Sequence, residues 1–111
     1  MSLNYTWEKF YVAVSSLASG TSSIQERLFN AYTGSLMLLE VHKPDELPED
    51  MRNEFEEITR ELTAVEPSGN EDSVRASTNA MTDLEASEIA EKIVSLYDRI
   101  TRMDAVQHGV F

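Results

Sequence analysis

The segment NAYTGSLMLLE, Asn30 to Glu40, places Thr33, Gly34 and Ser35 inside what otherwise reads as a helix. All three are mediocre or poor helix formers, and glycine costs about 1 kcal/mol relative to alanine in a helix interior. Wound at about 100° per residue around Leu28, Ile24, Ala31, Tyr32, Ser35 and Leu39 share one face. Thr33 and Met37 fall on the polar side, and Gly34 lies beside Arg27. The spacing therefore predicts one helix over 24–40, with Ala31 and Ser35 as a shallow notch in a bulky stripe. Such a notch admits a neighbouring helix or a ring from Trp7, Phe10 or Tyr11. A small ligand filling it is the alternative, because pockets form between packed helices. A buried Ser35 hydroxyl is expected to bond back to a preceding carbonyl.

The same period organises the residues on either side. Thr6 as the cap, followed by Trp7, Phe10, Tyr11, Val14 and Leu17 on one face, predicts a first helix over 7–18, stopped at Gly20. Ser23 and Glu26 have the spacing of a capping box at the start of the second. His42-Lys-Pro-Asp-Glu-Leu-Pro48 breaks the chain, since proline disfavours helix at itself and at its predecessor. A third helix over 48–65 then begins with Pro48, Glu49 and Asp50, residue types suited to a helix start. Its seam is Met51, Phe55, Ile58, Leu62 and Val65. Residues 66–81 read as a linker or a short helical turn. Thr82 and Glu85 repeat the capping box, and Ile89, Ile93, Leu96, Ile100 and Met103 carry a fourth helix over 83–103. Residues 104–111 are expected to fray. These elements predict an all-α domain, a small four-helix bundle spanning 1–111 and mostly antiparallel. Helices one to three are successive neighbours, and a long connection joins helices three and four.

Charge and composition narrow the function. The chain has 111 residues, a net charge of −11 and no cysteine. Disulfides, thiol catalysis and cysteine-bound metal centres are thereby excluded. The acids concentrate between Asp45 and Asp72, where eleven stand against Arg52 and Arg60. Nucleic acids and anionic membranes both need basic surface, so neither is an expected partner. No run is long and apolar enough to span a membrane, and the first residues lack a signal-peptide pattern, so the cytoplasm is the expected location.

Catalytic chemistry has little to stand on. His42 falls in a predicted loop and His108 in the predicted tail. No Glu-x-x-His, His-Glu-x-x-His, glycine-rich phosphate loop or calcium-loop pattern occurs. We therefore expect neither catalytic residues nor a metal or cofactor. The expectation is a non-catalytic interaction or regulatory module that binds a protein partner, its own copy included. Its candidate surface is the aromatic first half, with Trp7, Tyr11, Phe29 and Met37 as the residues to follow. The alternative is an inhibitor or immunity-type protein that caps a basic partner with the acidic stretch 45–72. Asp45, Glu46, Glu49, Asp50, Glu54 and Glu57 would form that surface.

Overall fold

The structure, a computed structural model, describes residues 4–39, 47–69 and 71–107, with side chains of the last helix described to Met103. Among these residues the regular structure is entirely helical. The helices are α1 (Asn4–Ser19), α2 (Ile24–Thr33), α3 (Glu49–Leu62), α4 (Ser73–Ala80) and α5 (Asp83–Gln107). A single 3-10 turn, Leu36–Leu38, follows α2. The all-α bundle expected from the sequence is what forms. Among the described residues, no helix is long and apolar enough to cross a membrane.

Each helix buries the face its spacing marks. Phe10, Ala13 and Leu17 of α1 are buried, as are Met51, Phe55, Ile58 and Leu62 of α3. Ala86, Ile89, Ile93, Leu96 and Ile100 form the inner stripe of α5. Together with Leu28, Ala31 and Tyr32 of α2 and Val74 of α4 they make one hydrophobic cluster. Apolar area removed from water at about 25 cal/mol per Å² is the main force holding the helices together.

Five of the sequence expectations need correction. First, α2 does not run to Glu40. It ends at Thr33, Gly34 caps it, and Ser35 leaves helical geometry at φ −149° and ψ −64°. The break has a tertiary cause: the Ser35 hydroxyl donates to the Lys9 carbonyl of α1 at 2.6 Å, not to a preceding carbonyl of its own helix. Ser35 and Leu36 are both buried. Second, Thr6 is not a cap. The first helix begins at Asn4, and Thr6 lies inside it, buried. Third, the seam ends Val65 and Met103 are each 40% exposed, because α3 stops at Leu62 and Met103 lies near the end of the buried stripe of α5. Fourth, residues 73–80 form a true helix, capped by the Asp72 carboxylate accepting from the Arg75 N–H at 2.8 Å. Fifth, α5 stays helical to Gln107.

The packing order also differs from a simple sequence of neighbours. The last helix, α5, packs against α1, α2 and α3, while α3 packs on α4 and α5. Side-chain contacts set the directions. The start of α1 meets the end of α5, where the Trp7 indole N–H donates to Thr101 Oγ1 at 2.8 Å. The start of α3 also meets the end of α5, through Glu54 and Arg99. Both pairs are antiparallel. The first and third helices meet across the core where Phe10 and Phe55 stand edge to face, 5.9 Å apart. Gln25 fixes the start of α2 to the α4–α5 junction by donating to the Met81 carbonyl and to Asp83.

Candidate functional site

The outer side of α1 is where large apolar side chains meet solvent. Tyr5, Tyr11 and Val12 are 45–49% exposed on a helix whose charges are Glu8 and Lys9 alone. Tyr11 stacks on Trp7 at 5.2 Å with an 18° interplanar angle. Trp7 in turn leans on Tyr97 of α5 at 6.0 Å. Val94 lies one turn before Tyr97, on the same flank of α5, and is exposed. On the other flank the 3-10 turn packs against α1 and leaves Met37 and Leu38 about half exposed. The Lys9 ammonium sits 5.2 Å from the Tyr5 ring centroid, a cation–π contact that holds one of the two charges against the helix.

The four aromatic and apolar residues singled out from sequence thus separate. Trp7 and Tyr11 stand together on the α1–α5 seam. Met37 lies across α1 at the bend. Phe29 is covered: the Arg75 guanidinium of α4 lies 3.6 Å from its ring centroid while pairing with the Glu26 carboxylate. That pairing raises the Arg75 pKa, chiefly through the Glu26 hydrogen bond. It also diverts Glu26 from the capping box: Ser23 accepts from the Glu26 N–H at 3.1 Å, and the Glu26 carboxylate goes to α4. Sequence reasoning passed over Tyr5, Val94 and Tyr97. The signal for Val94 and Tyr97 was available in Ala90, Val94, Tyr97 and Thr101, a second helical stripe beside the main one of α5.

The acidic residues are arranged differently. Asp45 and Glu46 lie outside the described residues, as do His42 and His108. Glu54 accepts from Arg99 at 2.6 Å, and Asp50 stands 3.6 Å from the same guanidinium. Glu57 and Glu61 both take Lys92, each at 3.3 Å. Two bases on α5 therefore hold four acids on α3. The Arg99 pKa rises, first through the Glu54 hydrogen bond. For Lys92 the largest single influence is desolvation, which lowers the pKa, but the hydrogen bonds to Glu57 and Glu61 and the charges of both carboxylates together outweigh it, and the net shift is upward. Glu49 is exposed on the first turn of α3.

A half-open groove of about 350 Å³ lies where the ends of α3 and α4 meet the start of α5. Val65, Met81 and Ile89 line it, with Glu61, Glu85 and Lys92 also among its walls. Glu85 is committed to the α5 cap, accepting from the Thr82 N–H at 2.9 Å while its own N–H donates to Thr82 Oγ1 at 3.1 Å. Among the described residues, no three histidine, aspartate or glutamate side chains converge as a metal would require.

Comparison with protein-family models, characterised proteins and solved structures gives no match. The functional reading therefore rests on the surface itself: of the exposed large apolar side chains among the described residues, Tyr5, Tyr11 and Val12 lie on the weakly charged α1, and Met37 and Leu38 on the 3-10 turn packed against it.

Proposed function

We propose that this chain is a non-catalytic interaction module whose binding face is the outer side of α1 with its flanks on α5 and the 3-10 turn. The observation that supports it is the grouping there of Tyr5, Tyr11, Val12, Met37, Leu38 and Val94, all exposed. Exposed apolar patches rimmed by polar residues mark docking surfaces, and tyrosine and tryptophan anchors supply much of the energy when such patches are covered. The seam is also held in place before any partner arrives. Trp7 is fastened to Thr101, and Tyr11 is stacked on Trp7, so little side-chain freedom remains to be lost on binding.

The inhibitor reading through the acidic surface has less support. Asp50, Glu54 and Glu57 are engaged with Arg99 and Lys92, so part of their charge already serves α3–α5 packing. The two readings respond oppositely to salt. Docking through α1 is expected to hold as ionic strength rises, whereas capping of a basic surface weakens sharply. Affinity capture from the native host with the parent chain and with Tyr11→Glu tests the proposal. Capture that persists in high salt and is lost in Tyr11→Glu supports it. Capture lost in high salt and indifferent to Tyr11 overturns it in favour of the acidic surface.

A further inference from the structure

We propose that the occupant of the α1 face is a second copy of this chain, paired through antiparallel α1 helices about a two-fold axis. This deepens the interaction reading above and rests on it. Charge is the first argument. Two molecules that each carry −11 repel wherever acidic surface meets acidic surface. The first helix holds one acid and one base, whereas α3 alone holds six acids and two bases. Because α3 stands across the core from α1, where Phe10 meets Phe55, pairing through α1 keeps the two α3 helices at the outer ends of the assembly. A basic partner, by contrast, would be drawn to the α3 side and would gain nothing from the neutrality of α1.

Shape is the second argument. The exposed side of α1 is bulky at its start, with Tyr5, and at its middle, with Tyr11 and Val12, and small at its end, with Ala18 and Ser19. An antiparallel pair centred between Tyr11 and Val12 sets Tyr5 beside Ser19 of the second copy on one flank and Ala18 beside Asn4 on the other. It sets Glu8 opposite Ser15, so the two glutamates do not confront each other. Bulk meets small residues, and the Tyr11 and Val12 side chains of both copies gather at the axis, as an isologous interface requires.

Sedimentation equilibrium of the full chain, from about 1 µM to about 1 mM, reads the association directly. The expected result is a mass rising from the 12.5 kDa monomer toward twice that value, with association undiminished or tightened in about 0.5 M salt. Tyr11→Glu and, separately, Ala18→Arg should each weaken it by about tenfold or more while the helical circular dichroism and thermal midpoint stay near those of the parent. Because the chain has no cysteine, Val12→Cys offers a single thiol for a short thiol-to-thiol cross-linker. That variant should cross-link to a dimer, and Glu56→Cys on α3 should not. A constant 12.5 kDa mass at every concentration overturns the proposal, as does association that Tyr11→Glu and Ala18→Arg leave unchanged, or cross-linking through Glu56→Cys in place of Val12→Cys. If the chain stays monomeric yet its capture of a host protein depends on Tyr11, the second-copy inference falls and the interaction reading stands.

Discussion

Arg27 shows how one side chain can finish a helix to which it does not belong. The last turn of α1 contains no base of its own. Arg27, from α2, donates to the Leu17 carbonyl at 2.7 Å and to the Ser22 carbonyl at 2.9 Å, placing a cation at the negative end of the α1 dipole. Its stem crosses Gly20, where an added Cβ would lie 2.7 Å from both Cγ and Cδ of Arg27 and 2.9 Å from the Ser16 carbonyl. Gly20→Ala should therefore displace Arg27 and cost about 1–2 kcal/mol by urea denaturation, and Arg27→Ala a similar amount. Ser35→Ala removes the bond to Lys9 at a buried site and should cost about 1 kcal/mol.

Glu85 gives a pH signature at the same scale. Its backbone and side-chain bonds with Thr82 hold the carboxyl below its ordinary 4.5 in the folded chain. The unfolded chain therefore takes up the proton first. The contribution is complete above the unfolded value and is lost as pH falls through the folded one. Glu85→Gln keeps an acceptor for the Thr82 N–H but no longer titrates. Its stability should fall less steeply than that of the parent between about pH 5 and pH 3, as read by urea melts at each pH.

At the scale of elements, α3 and α5 form a zipper in which bases two helical turns apart, Lys92 and Arg99, each bridge two acids. The pairs are largely solvent-exposed, so each contributes at most about 1 kcal/mol and competes with salt. Their larger effect is on register, since a slide of one turn would set acid against acid. Lys92→Glu should therefore cost more than Lys92→Ala, and added salt should narrow the gap, as thermal melts would show. The α3 and α5 faces were legible because Met51, Phe55, Ile58 and Leu62, and Ile89, Ile93, Leu96 and Ile100, are periodic within their own segments. The break at Gly34 and Ser35 was not, because its cause is a carbonyl 26 residues earlier in the chain. The diversion of Glu26 was hidden for the same reason: its partner, Arg75, lies 49 residues away. A local pattern records which face turns inward. It does not record which distant group will compete for a polar side chain. That is also why Phe29 read as exposed aromatic surface before Arg75 was seen to cover it.

For the whole molecule, α5 is the shared partner, so damage to its buried stripe should spread. Ile93→Ala empties volume at a fully buried position and should cost about 2–5 kcal/mol. Twenty acids against nine bases leave a surplus of repulsion that the exposed pairs do not cancel. Moderate salt should raise the thermal midpoint of the parent chain even as it weakens individual pairs.

The bond from Trp7 to Thr101 joins positions 94 residues apart, and Trp7 is the sole tryptophan. Indole emission is sensitive to the polarity of its surroundings, so the light from this one residue registers whether α1 and α5 remain joined. The protein carries an unlabelled optical gauge at the seam beside its proposed contact face, and occupancy there can be titrated in a fluorimeter without attaching any dye.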